Sequence, residues 1–211
     1  MEKTIKYFFI AIFIVGGLLL IGAIVFSVML SMAFGGFDKS YSVSELKDEY
    51  FSKEKEIGEL IMYYNQIKPD GYSINIEFED DKTLNRLQIS AHKDSLNQAI
   101  YQKWDVDVND LQKDSLKNIL KWDEEDIVKL KEKLDKANCI SVEDGEPIKI
   151  GFKRSGLGMY SFNIFQEIQT DRSAFKNRCE YILVNRNLML EYGGGAVGPQ
   201  CFPKQELKYN D

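Results

Sequence analysis

The sequence predicts an α+β protein. An N-terminal transmembrane helix leads into a small domain in which an antiparallel sheet of about six strands carries several helices on one side. Three observations predict this. A run of 31 residues from Tyr7 to Phe37 contains no charge. Apolar and polar residues alternate strictly after Gly71 and again beyond residue 139, as half-buried strands require. Between those regions the apolar residues recur at helical spacing, so strands and helices are segregated along the chain. Residues 1–37 therefore read as a membrane anchor, 38–68 as a juxtamembrane amphipathic helix and 69–211 as the globular domain.

The anchor comes first. A hydrocarbon core about 30 Å thick needs roughly 20 apolar residues, against about 7–15 in a cleavable signal peptide. The run is long enough to be retained, although Ser31-Met32-Ala33 also offers small residues to a peptidase. Lys3 and Lys6 precede it, and Lys39 and Lys47 follow it. A short N-terminal tail of this kind stays cytoplasmic, which gives N-in, C-out and an extracytoplasmic domain. The expected partner of residues 7–34 is the membrane. Ala23, Ser27 and Ser31 make a small-residue stripe of the sort close-packed membrane helices use.

Gly35-Gly36 forms a joint, and Ser42-Val43-Ser44-Glu45 reads as a capping box that starts a helix. Val43, Leu46, Tyr50, Ile57, Leu60, Tyr64 and Ile67 give it an apolar stripe, interrupted at Lys53. Phe51, Ile61, Met62 and Tyr63 widen the stripe beyond a coiled-coil seam, so the helix is expected to lie on its own domain. Pro69-Asp70-Gly71 turns the chain. Tyr72, Ile74, Ile76 and Phe78 then alternate with Ser73, Asn75, Glu77 and Glu79, which predicts a strand with one face buried and one wet. After Asp80-Asp81-Lys82 a second strand runs through Leu87, Ile89 and Ala91. Helical spacing is expected next: Leu96, Ile100 and Trp104 on one face, Leu111, Leu116, Ile119 and Leu120 on the next, and Ile127, Leu130 and Leu134 on a third. Asp123 is placed to cap that last helix and Asn138 to close it. Hairpins follow. Ile140 and Val142 oppose Ile148, Ile150 and Phe152, then come Tyr160, Phe162 and Ile164, and Tyr181–Val184 and Leu188–Tyr192 flank Asn185-Arg186-Asn187.

Composition narrows the function. Residues 38–211 hold 25 Lys and Arg against 32 Asp and Glu, and 19 aromatic residues. An acidic domain argues against nucleic acid or an anionic lipid surface, both of which demand a basic face. The aromatic content excludes a disordered tail. Three cysteines and one histidine are too few for a zinc site or a disulfide-dense scaffold, and neither a metal nor a cofactor is expected.

Motifs that carry chemistry are incomplete. Gly193-Gly194-Gly195-Ala196-Val197-Gly198-Pro199 lacks the Gly-Lys-Ser/Thr ending of a phosphate loop and precedes no helix. Arg154-Ser155-Gly156-Leu157-Gly158 leads into a strand and so is not a dinucleotide fingerprint. If the two loops met at one sheet end, Gly156, Gly158, Gly193, Gly194 and Gly195 would edge a small pocket with Lys153 and Arg154 as a basic rim; chain reversal explains the glycines equally simply. Asp105, Asp107 and Asn109 match the start of a calcium loop, but Asp110 stands where glycine is required and Leu116 where a bidentate glutamate is required, which leaves helix capping as the reading. His92 has no triad or zinc partner nearby in sequence. Cys179 and Cys201 would close a loop worth about 3 kcal/mol if bridged, with Cys139 left over; three buried free thiols is the alternative. No catalytic residue is assigned. The expectation is a binding or interaction module anchored at a bacterial envelope membrane and acting by its surface. The alternatives are a small hydrolase or transferase with a site near 154–158 and 193–198, or a cytoplasmic-facing regulator.

Overall fold

The computed structural model describes residues 2–93, 96–167, 171–175, 178–193, 198 and 200–207. Helix α1 spans Glu2–Ala33. Its segment Phe13–Met32 is 20 residues long, has a mean hydropathy of 2.7 and is wholly unburied, so α1 is long and apolar enough to cross a membrane. Beyond it the protein is α+β, with four further α-helices and one eight-stranded antiparallel sheet among the described residues.

The expected single helix up to Ile67 is two. Helix α2 (Val43–Ser52) ends and α3 (Glu54–Ile67) begins at Lys53, whose φ of −116° and ψ of 11° lie outside the helical region. Lys53 is the polar interruption of the apolar stripe. The bend there lets both Tyr50 and Ile57, one on each side of it, reach the core. Ser42 opens α2 with the full capping box: its hydroxyl accepts from Glu45 N, and the Glu45 carboxylate accepts from Ser42 N at 2.8 Å.

Strands β1 (Tyr72–Phe78) and β2 (Thr83–Lys93) follow, and then the expected helix over Leu96–Trp104 is a strand, β3 (Leu96–Asp107). Spacing by four suits a helix, but Ile100, Tyr101, Trp104 and Val106 are also strong strand formers. Formation of β3 pairs the outer edge of the 11-residue β2 along its whole length, from Thr83 opposite Asp107 to Lys93 opposite Leu96. A short 3₁₀ turn, Val108–Gln112, leads to α4 (Asp114–Leu120) and α5 (Glu124–Lys136). Asp123 and Asp126 form a second capping box at the start of α5, and Asn138 takes φ of 54° after its end. Five more strands complete the sheet: β4 (Ser141–Glu143), β5 (Ile148–Ser155), β6 (Gly158–Ile164), β7 (Tyr181–Leu183) and β8 (Leu188–Gly193). Eight strands therefore stand where about six are expected. Their order across the sheet is β3-β2-β1-β4-β5-β6-β8-β7.

Two neighbouring rows of residues, each crossing all eight strands, define the two faces. One row reads Lys103, Leu87, Ile76, Val142, Ile150, Phe162, Leu190, Ile182. Beyond Lys103 at the edge every member is buried, and they share one core with Leu46, Leu60, Tyr64, Leu116 and Leu130 of the helices. Two hydrogen bonds, the first buried and the second partly so, fix the helix layer to the sheet and to itself: Tyr64 Oη donates to Ile74 O at 2.7 Å, and Trp122 Nε1 donates to Ile67 O at 2.7 Å. The other row reads Trp104, Arg86, Glu77, Ser141, Gly151, Ser161, Glu191, Tyr181, and it lies on the face away from the helices.

That second face is not simply wet, as alternation in β1 leads one to expect. Glu77 is 1% exposed, and Ser141, Ser161 and Glu191 are also buried. The burial comes from partners lying across the strands. Arg154 grips Glu77 with Nε at 2.6 Å and one terminal nitrogen at 2.9 Å, and Asn85 donates to the same carboxylate at 2.7 Å. Lys149 and Asn163 hold Glu191 at 2.7 and 2.9 Å. Gly151 matters here: a β-carbon on it would strike Ser141 Oγ and the Met159 side chain, which occupy that space.

Candidate functional site

The glycine turn after β5 and Gly193, the first residue of the second glycine stretch, stand at one end of the sheet. β5 and β6 are joined by a tight turn at Gly156 and Leu157, with Gly156 at φ of 59°. Gly193, the last residue of β8, pairs with Met159 near the start of β6. A β-carbon on Gly158 would stand 3.2 Å from both Gln200 and Tyr192, so these two side chains pack closely over this end. Gly194 and Gly195 lie outside the described residues.

Aromatic stacking builds the rest of it. Tyr160 and Tyr192, neighbours on β6 and β8, stack with ring centres 4.2 Å apart and planes 11° apart. Phe202 lies against both rings at 6.1 Å. It is held there because Phe202 N donates to Cys179 O at 3.0 Å, beside a disulfide joining Cys179 to Cys201. The remaining cysteine, Cys139, is free and buried, and loss of hydration pushes its thiol up to about 12. A thiol that stays protonated is a poor nucleophile and a poor metal ligand.

The basic rim does not form. Arg154 projects onto the helix-free face, where its Nε and one terminal nitrogen donate to Glu77 as a bidentate pair. Lys153 points the other way along the strand, its Nζ 5.7 Å from the Phe152 ring. Neither converges on the glycine turn. The space that a ligand would take is occupied by the chain leaving α1. Asp38 accepts a hydrogen bond from Gly156 N at 2.9 Å. Gly35, at φ of 67°, lies so close to the turn that a side chain there would collide with Gly156 Cα and the Asp38 carboxylate. Further along, Tyr41 meets the Phe152 ring edge-on at 5.1 Å, and its N–H donates to Tyr160 Oη at 3.4 Å. Val43 N donates to Glu206 at 3.2 Å. Residues 35–41 are thus stitched to the glycine end of the sheet by four separate contacts, and Val43 to the C-terminal segment by a fifth.

The other candidates dissolve into structure. Asp107 caps the 3₁₀ turn by accepting from Asn109 N at 2.8 Å, and Asp110 pairs with Lys113 at 2.6 Å. The cluster therefore links a strand to a helix, not two helices. Among the described residues no group of three or more His, Cys, Asp or Glu side chains is placed to hold a metal ion. His92 stands in β2 opposite Asn97, with its side chain outside the described set. A shallow, open depression of about 450 Å³ is lined by Asp123, Glu124, Glu125 and Val128 at the start of α5, where the acids already serve the helix end.

Sequence reasoning missed the docking of residues 35–43. The signal available was Asp38 just after a pair of glycines, which reads equally well as a loose joint. Comparison of the chain with protein-family models, with curated proteins and with solved structures gave no match.

Proposed function

We propose that the protein is a single-pass membrane protein whose acidic domain works as a binding module on the outer side of a bacterial cytoplasmic membrane. The observation that carries this reading is the unburied apolar helix Phe13–Met32 leading, through residues stitched to the sheet, into a domain whose turn at Gly156 is already engaged by Asp38. A 30 Å helix with no protein partner along it is at home in lipid and costly in water. The hydrolase or transferase reading loses its main support, because Arg154 is committed to Glu77 and Gly156 to Asp38. The regulator reading differs only in topology.

Two measurements test the proposal. Alkaline carbonate washing should leave the full-length chain in the membrane fraction, with its N-terminus intact. Release of the chain, or an N-terminus mapped after Ala33, would replace the anchor with a cleaved leader. A reporter fused after Asp211 and active only when exported should be active; a silent, stably expressed fusion would favour the cytoplasmic regulator.

A further inference from the structure

We infer that the β5–β6 turn, Gly156-Leu157, rests in the lipid headgroup layer, so that the glycine end of the sheet is a membrane-contact surface. This rests on the anchor reading and adds to it a pose for the domain. The argument is one of distance. Twenty helical residues rise about 30 Å, the thickness of the hydrocarbon core. With Phe13–Met32 filling that core, Phe34–Asp38 falls at its boundary. Gly156 touches this stretch twice, through its N–H to Asp38 and through van der Waals contact with Gly35. The turn cannot be elsewhere while those contacts hold.

The side chains there suit such a layer. Phe34 and Phe37 remain 54% and 68% exposed, although both adjoin the folded domain. Aromatic residues at the end of a membrane helix gain by sitting at the headgroup level. Leu157, half-buried, occupies a tight-turn position where polar residues or glycine are usual. The contact is apolar and not electrostatic. The domain is acidic, and Lys39, the sole base in residues 34–42, is paired with Glu45 at 3.0 Å. The surface therefore needs no anionic lipid and fits a zwitterionic bilayer.

Nitroxide labelling of the full-length protein, reconstituted in phosphatidylcholine vesicles, tests the pose. Labels are placed one at a time on Leu157→Cys, on Phe26→Cys in the anchor and on Leu183→Cys, which is exposed on β7. Buried Cys139 and the bridged pair do not compete for label in the folded protein. Collision with oxygen should dominate at position 26, collision with a water-soluble nickel chelate at 183, and position 157 should fall between them with clear loss of nickel access. Adding Gly35→Val, which drives the joint off the turn, should restore nickel access at 157. A label at 157 as open to nickel as that at 183, with 26 still in lipid, overturns the pose and leaves the anchor standing. A water-exposed label at 26 overturns the anchor itself. No change on adding Gly35→Val overturns the Gly35–Gly156 contact as its cause.

Discussion

Ile76 and Glu77 are adjacent on β1 and face opposite ways, yet each is 1% exposed. Their burial has different origins. Ile76 lies under the helices, and its facing follows from alternation alone. Ile76→Asp should place an unpaired charge in the core and cost more than about 4 kcal/mol, enough to abolish the urea unfolding transition. Asn75→Asp, half-buried on the opposite face and facing Glu143, should cost something through like-charge repulsion but clearly less than Ile76→Asp. Equal tolerance of both would show the strand's facing to be wrong. Glu77 is buried by Arg154, which lies 77 residues away in the chain, and no local pattern announces such a pairing. Arg154→Met leaves that carboxylate inside with Asn85 alone and should lower stability by about 3 kcal/mol, read from the urea midpoint. Glu77→Gln, which keeps acceptor and shape, should cost less; the reverse order would show that Arg154 is not what holds Glu77. The same limit explains the candidate site. Lys153 and Arg154 were legible as bases near glycines, but Glu77, which holds Arg154, is remote in sequence.

Local signals of start and stop were the most legible feature of the elements. The capping boxes at Ser42 and Asp123 and the closure at Asn138 are stated in a few consecutive residues, and the structure contains all three. Helix α2 gives a test. Hydrogen bonds from the Ser42 backbone, with help from Lys39 and the Ser42 hydroxyl, lower the Glu45 carboxyl from 4.5 to about 2. A carboxylate that ionises more readily when folded stabilises above its unfolded pKa, and that stability is lost as pH falls through the folded one. The helix start should therefore weaken between pH 4.5 and about 2. Ser42→Ala should cost about 1 kcal/mol at neutral pH. It should also flatten that part of the acid dependence, seen in the thermal midpoint of the micelle-solubilised chain; an unaltered acid limb would mean that Glu45 does not cap. Strand β3 marks where local reading ends. Apolar spacing between Leu96 and Trp104 fits a helix, and only the unpaired edge of β2 decides for a strand. The break at Lys53 is similar: the stripe shows the interruption, but the curvature of the core decides that the axis bends there.

For the molecule as a whole, the covalent and ionisation state separates the compartments that the fold permits. Alkylation of denatured, unreduced protein from intact cells should label Cys139 alone, and reduction should expose Cys179 and Cys201. Three labelled thiols before reduction would remove the bridge and weaken the extracytoplasmic placement. Alkaline solution offers a second global handle. Burial raises both the Cys139 thiol, to about 12, and the Tyr64 phenol. Groups whose pKa is raised by folding stabilise below their unfolded values, and that stability drains away as pH climbs through the folded ones. The thermal midpoint should thus begin to fall above about pH 9, where an unfolded thiol ionises. Cys139→Ala should remove part of this alkaline sensitivity while costing some packing; an identical alkaline slope in that variant would show that the thiol makes no contribution. The class of the fold and its helix-free face were legible from the chain. The eight-stranded order was not, because pairing of β1 with β4 rather than with β5 or β8 is written in no local residue pattern.

A domain fastened at its base does not sweep. Left free, residues 34–42 would allow about 16 Å of play. Latched through Gly35, Asp38 and Tyr41, they allow little, and with α1 in a bilayer as proposed the sheet would stand on it like a post about 26 Å tall along the eight residues of β5. Its summit is then the opposite strand ends, where Asp144-Gly145-Glu146 and Asn185-Arg186-Asn187 turn the chain in exposed or half-exposed positions. On that pose any visitor from the aqueous side would meet those turns first. A visitor embedded in the same membrane would meet the flanks, by a search confined to two dimensions.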